Sequence, residues 1–149
     1  MKGFVLTALL VAASAHGQAA SQVNDALGAI RAHDNLLHVS YENLQGMAIG
    51  EDKDAVNAIG NTVNTFRIGS GTAIAVGNLL PLMRDPEDAK QVRVQLQYSL
   101  GVVLQVADIS IKIMNSYMAL LTGPAALAET TKARDEMIAI REQMRSLKT

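Results

Sequence analysis

The chain has 149 residues, which is enough for one domain. It contains no cysteine, so disulfides, thiolate metal sites and a catalytic thiol are excluded. Its 13 basic and 14 acidic residues give a formal charge of -1, which argues against an electrostatic nucleic-acid binder. Apolar residues make up 49% of the chain but aromatic residues only 3%, which favours a helix-rich domain with an aliphatic and methionine core.

The first fifteen residues have the pattern of a secretory signal peptide. Lys2 supplies an early positive charge, an apolar run covers residues 4–13, and small residues at 13–15 suit a cleavage site. The run is shorter than the roughly 20 apolar residues that a membrane span requires. We therefore expect removal of residues 1–15 and a single mature domain of residues 16–149. That domain would be secreted (periplasmic if bacterial), with no transmembrane segment.

The spacing of apolar residues predicts a first helix over about residues 19–47. Apolar residues recur there at steps of four and three, as on one face of a helix. A second helix is predicted to begin at Asp52 or Asp54, since both are good caps, and to run to Leu80. The glycines at 69–71 would either break this helix or, with Ala73 and Gly77, form a small-residue stripe that admits another helix.

The third helix has the clearest start in the chain. Asp85 suits the N-cap and Pro86 the first helical position. The helix is predicted to end before Gly123 and Pro124. It is apolar over much of its circumference, because Val102, Val106, Ile109 and Ile113 widen the inward face of Leu96, Leu100 and Val103.

A fourth, amphipathic helix is predicted over about residues 125–147. No strand-like alternation appears, so the sequence predicts an all-α fold. Short connections between four helices favour a single antiparallel four-helix bundle. A break at residues 69–71 would make five helices.

The polar candidates for chemistry are few. His33, Asp34, His38 and Glu42 could share a stripe that holds a metal, but no other helix offers a histidine. We interpret them as a solvated edge with local i,i+4 pairs. His16 would be a copper ligand only at the mature N-terminus, and we expect a disordered end there instead.

No catalytic constellation is present in the sequence. Residues 67–72 resemble a fragment of a phosphate loop but lack the glycine and lysine pattern that phosphate binding requires. No nucleophile elbow occurs either. We therefore expect a protein that is not an enzyme and that uses no metal or cofactor.

The methionine-rich, ring-poor core is the more informative feature. Methionine fills irregular space, and a core short of large rings can leave a cavity between helices. We predict that an apolar ligand such as a fatty acid or lipid lies between the second, third and fourth helices. Affinity would rise with chain length, by about 0.8 kcal/mol per buried methylene. The predicted lining residues are Phe66, Ile74, Leu100, Val103, Met114, Met118, Met137 and Ile140.

The order of elements resembles a known family. It is carried by a signal peptide, a helix over residues 23–47, a glycine-containing loop, and later helix starts at Ala55, Pro86 and Gly123. This layout is similar to the fungal hydrophobic-surface-binding proteins and the related cell-wall galactomannoproteins. The resemblance covers about residues 23–147. It implies a small secreted helical bundle that adsorbs to hydrophobic surfaces or holds fatty acids between its helices.

Two other functions are compatible with the sequence. The first is a protein-interaction module, such as an adaptor, immunity protein or effector, with a protein partner. The charge asymmetry is compatible with it: residues 16–88 hold nine acids and four bases, whereas residues 89–149 hold five acids and eight bases. The second is a membrane-active helical protein that uses the charge-free stretch of residues 68–83.

Overall fold

The computed structural model describes the backbone of residues 3–148 and the side chains of residues 22–148. The predicted signal peptide, residues 1–15, and His16 therefore lie outside the residues whose side chains are described. Short 3-10 turns at Gly50–Asp52 and Leu80–Leu82 lie in the first two connections. The four helices are α1 (Gly3–Met47), α2 (Lys53–Gly77), α3 (Pro86–Met118) and α4 (Pro124–Leu147).

The helices form a ring in which α1 and α3 each pack against both α2 and α4. Neighbouring helices run in opposite directions. Gln97 near the start of α3 bonds to the carbonyl oxygen of Leu147 at the end of α4, and His33 of α1 contacts Glu136 of α4. The prediction of an all-α, antiparallel four-helix bundle is confirmed.

The first two helices differ from their predicted bounds. Helix α1 begins at Gly3 instead of about residue 19, because no proline interrupts the earlier residues. Helix α2 runs unbroken through residues 69–71, so the five-helix alternative is wrong. Each glycine costs a helix about 1 kcal/mol relative to alanine. Burial of Phe66 before the glycines and of Ala73 after them offsets that cost.

The small residues of α2 admit two different neighbours. A Cβ added at Gly77 would lie 2.8 Å from Cδ1 of Leu27, so α1 approaches α2 closely at this point. A Cβ at Gly69 would lie 3.6 Å from Val103 of α3, which is ordinary contact. The predicted stripe of small residues therefore lies against α1 at Gly77 and against α3 at Gly69.

The two predicted helix starts have different outcomes. Asp85 caps α3 as predicted, because its Oδ1 accepts hydrogen bonds from the backbone N–H groups of Glu87 and Asp88. Asp52 also precedes its helix, but its carboxylate does not cap α2. It bonds instead to the connection between α3 and α4, at Thr122 and Gly123.

The interior of the bundle is closely packed with aliphatic and methionine side chains. Their inward positions follow the predicted steps of three and four residues along each helix. Phe66 is the only ring among the fully buried large side chains of the described residues. The others include Ile30, Leu37, Leu44, Ile59, Leu100, Met114, Met137, Ile140 and Met144.

Candidate functional site

The eight predicted lining residues belong to the interior of the bundle. Ile74 and Met118 are half-buried, and the other six are buried in one continuous core: Phe66, Leu100, Val103, Met114, Met137 and Ile140. None of the eight lines either of the two grooves described below. A ligand would contact the six buried side chains only if the helices moved apart. Their role in ligand binding stays a prediction.

A shallow groove runs between α2 and α3 on the outside of the bundle. Its volume is about 350 Å³, which is at the small end for a ligand site. Its walls come from about one and a half turns of α2 and two turns of α3. They are formed by Asn61, Thr62 and Thr65 on α2, and by Val106, Ile109, Ser110 and Ile113 on α3. The α3 wall is mainly apolar, and the side chain of Ile109 is 57% exposed.

The groove is part of a larger apolar surface. Ile68 follows Thr65 by three residues on the outer side of α2 and is 66% exposed, while Val102 lies one turn before Val106 and is 44% exposed. We call the outward side of α2 with the turn that follows it, from Ala58 to Leu79, and of α3, from Gln95 to Ser116, the α2–α3 face. Contiguous exposed apolar patches of this kind usually mark interaction sites.

Two of the three charged residues within the bounds of this face, Arg67 and Asp108, are paired with the neighbouring helices, and the third is Lys112. Arg67 is the only charged residue between Asp54 and Arg84, and its Nε and Nη2 lie 3.3 Å from the two carboxylate oxygens of Asp34 on α1. Asp108 is turned toward α4, where its Oδ1 lies 3.0 Å from Nη1 of Arg141. These ion pairs leave Lys112, which is exposed on α3, as the one charged side chain within the bounds of the α2–α3 face that pairs with no neighbouring helix.

The threonines on the α2–α3 face satisfy their own hydroxyl groups. Thr62, Thr65 and Thr72 each donate to the carbonyl oxygen four residues earlier, over 2.8, 2.9 and 3.0 Å. A hydroxyl hydrogen that is already bonded needs no water partner when the surface is covered. Contact with an apolar phase would therefore leave the Asn61 amide, but none of these three hydroxyl groups, without a partner.

The opposite side of the bundle is charged. Helix α4 carries eight acidic or basic residues, against three on the similarly long α2. Arg141, Glu142 and Arg145 form surface ion pairs with each other and with Asp108. This segregation of charge makes the α2–α3 face distinct from the rest of the described surface.

One carboxylate is buried between α1 and α4. Glu129 is 6% exposed and contacts Lys132, which lies one turn along α4. Burial raises the pKa of the Glu129 carboxyl, but hydrogen bonds from Ser40 and Asn43 and the charge of Lys132 bring that pKa below its usual value. The ionised group therefore fixes how α4 packs on α1.

A second groove lies between α1 and α4, near the start of α3. It has a volume of about 550 Å³ and is lined by polar and apolar groups together: Gln22, Val23, Asp25, Ala26, Gln143, Ser146 and Leu147. Its mixed lining includes an acidic residue, which makes it a poorer apolar site than the α2–α3 face.

The polar residues of α1 form one local i,i+4 pair, as interpreted from the sequence, but Asp34 and His33 pair with other helices instead of forming a solvated edge. Nε2 of His38 lies 3.3 Å from Glu42, an i,i+4 pair, and Asp34 is held by Arg67. His33 lies 2.7 Å from Glu136 of α4. Among residues with described side chains, no group of three or more histidine, aspartate or glutamate residues is placed to hold a metal ion.

Two further sequence features have clear positions. Residues 67–72 lie inside α2, so their backbone N–H groups are used by the helix and not displayed as a phosphate loop would display them. Among the described residues, α3 alone is long and apolar enough to cross a membrane, by length and composition only. Only 39% of that apolar window is buried inside the bundle.

Comparisons of the chain with family models, curated proteins and solved structures find no match. The resemblance to the hydrophobic-surface-binding proteins therefore stays a prediction, and the functional argument rests on the α2–α3 face. The sequence predicted the widened apolar face of α3, but not that this face lies beside Ile68 and Thr65 of α2. The absence of charge from residues 68–83 was the signal for that pairing.

Proposed function

We propose that this is a secreted, non-enzymatic protein that adsorbs to hydrophobic surfaces through its α2–α3 face. The observation that carries the proposal is an apolar face, with Lys112 as its one unpaired charge, on which Ile68, Val102 and Ile109 are each more than 40% exposed. Covering such side chains with an apolar phase removes them from water, at about 25 cal/mol per Å². Charges on the other helices keep the remaining surface hydrated.

The closed core favours adsorption over an enclosed ligand. The largest core side chains, among them Phe66, Met114 and Met137, are less than 2% exposed. A fatty acid between α2, α3 and α4 would require these helices to separate, whereas the α2–α3 face is already accessible. A short alkyl chain could still lie in the outer groove beside Ile109 without any opening of the bundle.

The other functions considered remain alternatives with different expected behaviour. A protein-interaction module would use the same face for one partner and would not distinguish between synthetic surfaces. A membrane-active protein would insert α3 into a bilayer and release the contents of vesicles. That insertion would break the pair between Asp108 on α3 and Arg141 on α4. It would therefore be opposed, because an unpaired charge in a bilayer is costly.

The test is adsorption of purified protein to methyl-terminated and hydroxyl-terminated monolayers, measured with a quartz-crystal microbalance. We expect strong binding to the methyl surface only. Ile109→Lys should weaken it about tenfold, because a charge then has to leave water. Leu36→Lys is the matched control, since Leu36 lies on α1 and is 53% exposed, close to the 57% of Ile109.

Equal loss of binding in the two lysine variants would mean that adsorption is not specific to the α2–α3 face. Equal binding of the wild-type protein to methyl and hydroxyl surfaces would overturn the proposed function. Circular dichroism of each variant, with unchanged helical signal, confirms that the comparison concerns folded protein.

A further inference from the structure

We infer that in water the α2–α3 face is covered by the same face of a second copy of this chain. The inference rests on the proposed function, because the face that adsorbs is the face that pairs. A two-fold axis in the plane of the interface would cross α2 near Thr65 and α3 near Val106. Pairing would then keep the apolar side chains out of water until a hydrophobic surface competes for them.

The charge pattern favours a second copy over a different partner. In a symmetric dimer, residues near the two-fold axis meet their own copies, so any charge there faces a like charge. Near the axis the α2–α3 face avoids this repulsion, because Arg67 and Asp108 are held by α1 and α4 respectively, and Lys112 lies about 9 Å along α3 from Val106. A different protein partner is usually selected by complementary charges, and Lys112 is the only unpaired charge that this face offers.

The shape of the α2–α3 face, with a groove and projecting side chains, is also compatible with self-pairing. The groove beside Thr65 and Ile109 occupies one half of the face, on one side of the proposed axis. The exposed side chains of Ile68 and Val102 stand on the other side. Rotation by two-fold symmetry places the projecting side chains of one copy opposite the groove of the other.

The size of the face is of the order that a stable dimer requires. From Gln95 to Ser116 helix α3 is about 33 Å long at 1.5 Å per residue, and two neighbouring helices are about 20 Å wide. The projected area is therefore about 660 Å², against about 800 Å² of accessible surface per partner in typical specific interfaces.

The primary test is sedimentation velocity of the purified protein at concentrations between about 1 and 100 μM, which detects dimers whose Kd is in the micromolar range or tighter. We expect twice the monomer mass for the wild-type protein and for Leu36→Lys. Ile109→Lys should stay monomeric at every concentration with unchanged helical content. A wild-type monomer at the highest concentration, or a dimer that Ile109→Lys does not weaken, would overturn the inference.

A second test uses the absence of cysteine from the chain. Thr65→Cys introduces a single thiol beside the proposed axis, where two copies would meet within disulfide distance. On mild oxidation it should form a covalent dimer at least tenfold faster than the control Leu36→Cys. Equal rates for the two variants would contradict the proposed placement of the axis.

The two proposals fail in distinguishable ways. Wild-type protein that adsorbs to the methyl surface but stays monomeric in solution would contradict the inferred dimer and support the proposed function. Wild-type protein that forms the dimer but does not adsorb to the methyl surface would contradict the proposed function and support the self-pairing interface.

Discussion

The carboxylate of Asp52 holds the backbone of Gly123, a residue 71 positions later, with Oδ2 lying 2.7 Å from the amide nitrogen. The other oxygen, Oδ1, accepts from the amide and the hydroxyl of Thr122 at 2.8 and 2.9 Å. Both connections at this end of the bundle are thereby joined by one side chain. Gly123 has room for this contact only because it lacks a Cβ, which would lie 2.7 Å from Oδ2.

The stability of the bundle should fall in acid as Asp52 is protonated. Hydrogen bonds from the Thr122 backbone, the Gly123 backbone and the Thr122 hydroxyl hold the pKa of Asp52 below its usual 3.8. Since the folded pKa is the lower one, the stabilisation is present above about pH 5 and is lost as the pH falls through the folded value. Thermal unfolding followed by circular dichroism between pH 7 and pH 2 measures this loss.

Asp52→Asn is the control for that pH dependence. The amide replaces one of the two accepting oxygens with an NH2 donor, so one loop N–H loses its acceptor and the variant should unfold at lower temperature than the wild type at pH 7. The difference between the two proteins should shrink toward pH 2, where Asp52 is itself protonated. A difference that stays constant over the whole range would show that protonation of Asp52 is not the cause.

Two glycines of α2 should respond in opposite directions to the same substitution. Gly77→Ala places a methyl 2.8 Å from buried Leu27, so we expect a loss of about 1–3 kcal/mol from overpacking. Gly71→Ala meets nothing within 4 Å and should gain about 1 kcal/mol of helix propensity. Urea denaturation measures both free energies of unfolding, and a gain at both sites would show that α1 can move away from α2.

A core substitution should change the stability of the bundle without changing adsorption through the α2–α3 face. Met137→Ala removes a fully buried side chain and should lower the free energy of unfolding by about 2–5 kcal/mol. Adsorption to a methyl surface, measured per folded molecule, should stay unchanged because Met137 does not reach the face. Reduced adsorption of the folded variant would instead support the predicted ligand site between the helices.

The pair between Asp34 and Arg67 should be coupled more strongly than exposed pairs. Both side chains are about four-fifths buried and make two contacts, so a double-mutant cycle with alanine should give about 1 kcal/mol. Glu87 and Lys90, exposed at 78% and 73%, are the control and should give a value near zero. Equal coupling energies would mean that burial adds nothing to the contact between α1 and α2.

Much of the fold could be predicted from local patterns in the sequence. The start of α3 followed from Asp85 and Pro86, since an acceptor and a fixed backbone angle act within one turn. The inward positions of all four helices followed from apolar spacing. The course of α2 through residues 69–71 did not, because glycine propensity and packing on Phe66 and Ala73 oppose each other.

The candidate site was less accessible to sequence reasoning. Asp52 was predicted as a cap from its position, but its actual partners lie 70 and 71 residues away. Helical spacing indicated that Ile109 lies on a second apolar face of α3. It did not show whether another helix covers that face. Only the packed bundle places Ile109 beside Thr65 in an open groove.

The sequence by itself determined which residues are apolar, where each helix face lies and which local caps form, because these depend on neighbours within about one turn. The tertiary structure decided which apolar face is buried and which is left to solvent. It also decided that Arg67 and Asp108 pair with α1 and α4. The physical reason is that burial and ion pairing depend on the relative positions of whole helices, which link residues distant in the chain.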